Sequence, residues 1–302
     1  MMYYRRKVEL ALLGRFGGEL SAKQFQKLLF LFTRKQDVKS YDFVPFRYGC
    51  YSFQASQDLH VLDKQGFVSI IDSPNGHNIF LIDKTDFYST LTIFDANALD
   101  DTFREFSGMT QDELIRYTYL NYPFYATKSS VLERILSCEE IEAVKRLERH
   151  SDAPMLFTIG YEGLSLEKYV DRLIVNDVHV LCDVRKNAYS QKYGFSKAQL
   201  SMACEGVGIH YVHMPGLGIE PDKRRSLETQ ADYDVLFDEY EKTTLVDNFK
   251  YVLDIRSIIE NDKRVALTCF EADPLQCHRL RVANALMGLD NKEYNLINLI
   301  NG

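Results

Sequence analysis

The sequence predicts an α/β fold from about residue 155 to residue 302, a parallel sheet with helices on both faces, preceded by a mainly helical domain over residues 1–150. Three observations predict it. From Met155 onward, apolar runs of five residues alternate with amphipathic stretches. Before residue 150 apolar side chains recur at helical spacing and give way only once to a pair of short β-like runs. Between the two regimes, Glu148-Arg149-His150-Ser151-Asp152-Ala153-Pro154 is polar and closes on proline, which reads as a linker. A chain of 302 residues suits two domains at ~100–200 residues each.

In the first half, Val8, Leu10, Leu12 and Leu13 begin a helical stripe, so the N-terminus is expected to be a first helix and not a signal peptide. Ser21 is placed to cap a second helix whose apolar face is Phe25, Leu28, Leu29 and Leu31. A third helix is expected over Phe53–Gln65, stopped by Gly66. Phe67–Ile71 and His77–Ile82 then read as two strands around the turn Asp72-Ser73-Pro74-Asn75-Gly76. Helices followed by a hairpin is the order of a winged-helix-like domain. Such a domain places a helix in a DNA groove, or serves as a dimerisation or protein-binding module. Helices over Gln111–Asn121, Lys128–Leu136 and Glu139–Arg149 complete the half, with the aromatic Tyr122-Pro123-Phe124-Tyr125 expected to pack between the first two.

In the second half, a strand over Met155–Ile159 ends at Gly160 and a helix follows over Leu166–Asn176. Val178–Cys182 is a strand ending at Asp183, Lys197–Glu205 a helix, and Ile209–His213 a third strand. Asn248–Glu260 is a helix, Arg264–Thr268 a strand ending at Cys269, and Cys277–Leu286 the helix after it. Right-handed crossovers between parallel strands give a Rossmann-like sheet and place ligands at the carboxyl ends of the strands. Polar residues stand at those ends: Tyr161-Glu162-Gly163, Asp183-Val184-Arg185 and Cys269-Phe270-Glu271, with Cys277-His278-Arg279 opening the last helix. The expectation is one crevice lined by Asp183, Arg185, Glu271, His278 and Arg279, an acid/base set with guanidinium groups for an anion.

Composition narrows the classes. The chain is 46% hydrophobic and 26% charged, which suits a folded protein and not a disordered one. No stretch approaches the ~18 consecutive apolar residues of a membrane span. Six scattered cysteines in an ordinary-sized chain suggest reduced thiols and a cytoplasmic location. The net charge of −7 is uneven: residues 1–50 carry ten Lys and Arg against four acids, residues 151–302 carry 17 against 23. A basic face on the first domain could meet phosphates while the whole is too acidic to coat nucleic acid indiscriminately. There is no GxGxxG after the first strand of the second half and no P-loop, which argues against nicotinamide binding and ATP hydrolysis.

Two resemblances add to this. The set TIGYEG, CDVR with Ser190 five residues after Arg185, then Tyr211, Leu217-Gly218, and finally CFE followed by CHR, resembles the family known as domain of unknown function 488 over about residues 155–290. The resemblance implies an α/β fold and directs attention to Tyr161, Asp183, Arg185, Ser190, Cys269, Glu271, Cys277, His278 and Arg279, without supplying a reaction. In the first half, SAKQFQKLLFLF followed by VPFRYGCYS resembles the helical domain of Panacea-type antitoxins and regulators over some fifty residues. Lys27-Leu28-Leu29-Phe30 and Tyr48-Gly49-Cys50 stand at its KLLY-like helix and YGP-like turn, with cysteine in place of proline. The pairing of the two halves resembles prokaryotic proteins that act on nucleic acid, including those of phage defence.

The candidate roles follow. Asp183 either activates water or closes its strand end as a salt bridge with Arg185. Cys269, at a strand end before a helix, has the layout of a rhodanese or thiol phosphatase nucleophile, but Glu271 and Asp273 in its loop would repel a thiolate, which favours a buried structural thiol. Cys269, Cys277 and His278 suggest zinc only weakly, since no CxxC pair or fourth ligand is evident, so no metal is expected. His213 is a pocket neighbour, and Tyr161, Tyr189, Tyr193 and Phe195 could stack on a base. The leading expectation is a hydrolase that processes DNA, cleaving an N-glycosidic bond with Asp183, Glu271 and His278 as catalytic residues. Tyr161, Arg185, Ser190, Phe195, Tyr211, His213 and Arg279 would then bind substrate. No cofactor is expected; phosphodiester cleavage would instead call for a divalent metal on Asp183 and Glu271. The alternatives are a rhodanese-like enzyme using Cys269 and a non-enzymatic, nucleotide-sensing DNA-binding regulator. DNA and a second copy of the chain, as a homodimer, are the expected partners, and a membrane is not.

Overall fold

The computed structural model describes residues 2–74, 76–224, 227–289 and 294–300. The chain divides into two compact units, Met1–Glu148 and Arg149–Gly302, a division that falls within the polar stretch 148–154.

The first unit opens with α1 (Tyr4–Arg15), β1 (Glu19–Ser21) and α2 (Ala22–Thr33). Then come the small hairpin β2 (Val44–Phe46) and β3 (Gly49–Tyr51), α3 (Phe53–Lys64), and the longer hairpin β4 (Val68–Ser73) and β5 (Gly76–Leu81). The short β1 pairs with β5, giving the sheet order β1-β5-β4. Helix α2 is the spine of the core, with every residue from Phe25 to Thr33 buried. Its start is fixed by the cap the sequence announces: Ser21 Oγ accepts from the Gln24 N–H while the Gln24 side chain accepts from the Ser21 N–H. Helices α4 (Ile93–Phe106), α5 (Gln111–Asn121), α6 (Leu132–Ile135) and α7 (Cys138–Lys145) complete the unit.

Two expectations change here. The helix expected over 128–136 is only the single turn α6. Ser130 gives both its N–H and its hydroxyl to the Arg47 carbonyl, and Ser129 Oγ accepts from the Val131 N–H, so local side-chain bonds displace the first helical turn. The β4–β5 turn is also tighter than expected, with Ser73 paired opposite Gly76; Asn75 lies outside the described residues.

The second unit is a five-stranded, all-parallel sheet in the order β10-β6-β9-β7-β8. Its elements are β6 (Met155–Gly160), α8 (Leu166–Val175), β7 (Val180–Asp183), α9 (Lys197–Glu205), β8 (His210–His213), α10 (Gln230–Lys242), α11 (Thr244–Asp247), α12 (Phe249–Asp262), β9 (Arg264–Cys269), α13 (His278–Leu289) and β10 (Asn295–Leu299). The central strands β7 and β9 are buried at every residue, as a sheet covered on both faces requires.

The pleat decides which face each strand-end side chain joins. On β9, Val265, Leu267 and Cys269 pack with α10, α12 and α13, while Thr268 turns the other way and accepts a hydrogen bond from Tyr169 of α8. On β7, Cys182 shares the first face, and Asp183, register partner of Thr268, shares the second. Adjacent strand-end residues therefore serve opposite faces of the sheet.

Candidate functional site

The expected single crevice is two separate clusters. The first gathers around Asp183, which is fully buried. Arg185 donates to it from Nε at 2.8 Å and from Nη2 at 2.5 Å, the Arg185 N–H adds a third bond at 3.1 Å, and Tyr211 OH a fourth at 2.6 Å. Arg185 spends its remaining terminal nitrogen on Tyr161 OH and the Phe195 carbonyl, each at 2.9 Å. Phe195 lies flat on Tyr161 with ring centres 4.3 Å apart, and both rings are buried. Burial opposes the charge on Arg185, but the Asp183 carboxylate more than overcomes this and holds the guanidinium protonated. Burial and the Asp183 charge both push the Tyr211 phenol up, keeping it a donor. With four donors on Asp183, no lone pair is left for a water, and the geometry gives the pair the role of closing the strand end.

The neighbours of this cluster bond to the same loops. His213 Nε2 lies 2.9 Å from the Arg185 carbonyl. Ser190 shapes its loop, its hydroxyl accepting from the Lys192 N–H and its carbonyl from the Ser196 hydroxyl. Among the aromatic residues expected to stack on a base, Tyr161 and Phe195 are enclosed, while Tyr189 is exposed.

The second cluster lies at the carboxyl end of β9 and the start of α13. Cys269 Sγ is 3.7 Å from His278 Nδ1 and 3.3 Å from Glu271 Oε2, and the Cys277 thiol donates to it. Burial disfavours a thiolate at Cys269, yet the Cys277 hydrogen bond and the Arg224 guanidinium pull its pKa below the usual thiol range. The same charge, added to burial, pushes the Cys277 thiol up. Glu271 is also raised, by burial and then by the Cys269 charge, with Arg224 opposing. Arg224, paired with Glu271, offsets the charge that would repel a thiolate, so the acid in the loop does not by itself exclude a nucleophilic cysteine.

Arg224, on a short turn at Pro221–Arg224, is the residue the sequence reading missed. It pairs with Glu271 Oε1 and donates from Nη2 to His278 Nδ1 at 2.8 Å. His278 Nε2 lies 2.9 Å from the Val184 carbonyl, so that nitrogen carries the proton and Nδ1 offers its lone pair. The only signal for Arg224 was the basic run Lys223-Arg224-Arg225 in an otherwise acidic half. Arg279, expected to bind substrate, instead gives its terminal nitrogens to the Glu271 and Ala272 carbonyls and fixes the loop that carries Glu271. Gly160 lets that loop come close: a Cβ there would stand 1.8 Å from the Glu271 carbonyl oxygen.

The ligand atoms of Cys269, Cys277 and His278 lie within 4.8 Å of one another, closer than the sequence spacing suggests. The Nδ1 lone pair that a metal would use already accepts from Arg224, whose charge also repels a cation, so these residues fit a hydrogen-bonded thiolate better than a metal centre.

Residues 165–286 match the model of a family described as domain of unknown function DUF488. The matched stretch contains both clusters except Tyr161. No curated protein matches the chain.

Proposed function

We propose that the second unit is a thiol-dependent transferase in which Cys269 is the nucleophile and Arg224 receives an anionic donor. The carrying observation is the surroundings of Cys269 Sγ: the Cys277 thiol donates to it, the Arg224 guanidinium lowers its pKa, and the His278 ring and the Glu271 carboxyl lie 3.7 and 3.3 Å away. Cys269 is itself buried, whereas the side chains of Arg224 and Glu271 keep 26% and 15% of their surface exposed, so a substrate meets this pair first. Its anionic group replaces Glu271 on the guanidinium. Freed from that cation, the Glu271 carboxyl takes up a proton more readily and can pass it to a leaving group.

The step balances without an outside oxidant. The Cys269 thiolate forms a bond to the electrophilic atom of the donor, the bond to the leaving group breaks with its electron pair, and Glu271 supplies the proton. An acceptor then attacks the transferred group, the thiolate departs, and the acceptor's proton returns to Glu271. The hydrogen bond from the Cys277 thiol holds the charge on sulfur in both steps.

The test is intact-mass analysis after incubation with thiosulfate and, separately, an aryl phosphate. A covalent adduct in the wild type that is absent in Cys269→Ser supports the reading, as does a ~10–100-fold slower adduct in Arg224→Gln. No adduct from either donor, or stoichiometric zinc that Cys277→Ala removes, overturns it.

Cleavage of a DNA bond, the leading expectation from sequence, would keep Glu271 and His278 at this centre but would have to run without Asp183, whose lone pairs are occupied. Alkali-dependent breaks in duplex DNA, lost in Glu271→Gln and retained in Cys269→Ser, would favour it over thiol transfer.

A further inference from the structure

The first unit contains a pocket of about 720 Å³, a size usual for small-ligand sites. Its walls come from the start of α2, the β2–β3 hairpin, α3 and the β4–β5 turn. Among the described residues no Asp or Glu lines it, whereas Lys23, Lys27, Arg47, His60 and His77 do, His77 with Asp72 2.7 Å from its Nδ1, in a protein whose net charge is −7. A carboxylate-free wall is not what a solvated surface of this chain would show by default.

Lys27 is the second, independent observation. It is fully buried on the all-buried face of α2, and its ammonium donates to the Cys50 carbonyl at 3.1 Å. Among the described residues no carboxylate pairs with it. Burial lowers its pKa, so that an anion beside it would restore the charged form. A buried cation without a counter-charge is costly, and such a cost is removed when an anion arrives. Gly49, at φ +90°, keeps the approach open, because a Cβ there would lie 3.2 Å from the ammonium and 2.5 Å from the Tyr119 ring.

Aromatic rings flank the same opening. Phe46 and Tyr51 are stacked with centres 5.0 Å apart, and the exposed Tyr48 carries the Lys23 ammonium 4.3 Å from its ring centre. Cations around a buried ammonium, beside flat rings, suit a ligand with a phosphate at one end and a base at the other.

We infer that this pocket binds a nucleotide, with the phosphate directed to Lys27 and Arg47 and the base to the Phe46, Tyr48 and Tyr51 rings. The assignment is independent of the chemistry at Cys269. The ligand can be a free nucleotide or the phosphorylated end of a single strand, which share this chemistry.

Calorimetric titration of the full chain with adenosine, AMP, ATP, and a short oligonucleotide with or without a 5′-phosphate tests it. Binding of AMP or ATP but not adenosine is expected. If the 5′-phosphorylated strand binds and free nucleotides do not, the occupant is a strand end and the pocket is still supported. Arg47→Gln, an exposed position, should weaken binding about tenfold without changing the melting temperature. Lys27→Met should abolish binding and, by removing the buried charge, melt no lower than the wild type. Failure of every phosphorylated probe to bind, or equal affinity for adenosine and AMP, overturns the inference. So does undiminished affinity in both variants.

Discussion

Cys269 carries its charge against the cost of burial because the Cys277 thiol donates to it and the Arg224 guanidinium stands near, and this has a pH signature. Its folded pKa is depressed, so the thiolate adds stability above the ordinary thiol value of ~8.5, and that stability is lost as pH falls through the folded pKa. The thiolate ultraviolet absorbance of the wild type should therefore persist at neutral pH and vanish in Cys269→Ser, while Arg224→Gln shifts its midpoint upward. A midpoint at the ordinary thiol value would refute the charge assignment. Glu9 in the first unit is the opposite case. It is fully buried, and among the described residues Tyr41 is the one hydroxyl near enough to act on its carboxyl, without a well-formed hydrogen bond to either oxygen. Burial and then the nearby Asp58 charge raise its pKa well above the usual range. The folded state keeps that proton, so the contribution is present below ~4.3 and lost as pH rises through the folded value. Glu9→Gln should remove this slope and raise stability near pH 8 by about 1–3 kcal/mol, measured by denaturant melts. Unchanged melts would mean the carboxyl finds a partner in solution.

Between elements, the Asp183–Arg185 pair ties the end of β7 to β8 through Tyr211 and to the β6 end through Tyr161. Asp183→Ala leaves a buried guanidinium unpaired and should cost about 3–5 kcal/mol in unfolding free energy. Gly160→Ala should act differently, forcing the loop at Glu271 outward and slowing adduct formation at Cys269 more than it lowers stability. The sequence made the sheet's inner strands legible because fully apolar runs such as Val180–Cys182 and Val265–Leu267 have few other uses. It hid β10, where Asn295 and Asn298 interrupt the apolar pattern; Asn298 is satisfied by the Thr158 hydroxyl on β6 at 2.7 Å, a contact 140 positions away in sequence. The three-residue strands β1, β2 and β3 are too short for alternation to register. At the site, Cys269, Glu271, Cys277 and His278 were legible from their strand-end spacing. The division into two clusters was not, because it depends on which way Asp183 and Cys269 point from the pleat. Arg224 was hidden because its turn follows no periodicity.

At the scale of the whole molecule, each unit has its own core, and all the residues around Cys269 belong to the second. Limited proteolysis should cut within 148–154, and the nicked protein should keep its thiolate absorbance; loss of that absorbance on nicking would show that the centre needs the first unit. Within the second unit the sheet acts as a partition. Asp183 and Cys269 end neighbouring strands yet share no partner, since each side chain leaves the pleat on its own side. Sites without shared partners contribute additively, so the stability losses of Asp183→Asn and Cys269→Ser should sum in the double variant to within about 0.5 kcal/mol. The bracing layer and the reactive layer are then separately mutable: substitutions that tighten one can accumulate without retuning the other, which is how a single scaffold can keep its shape while its chemistry diverges.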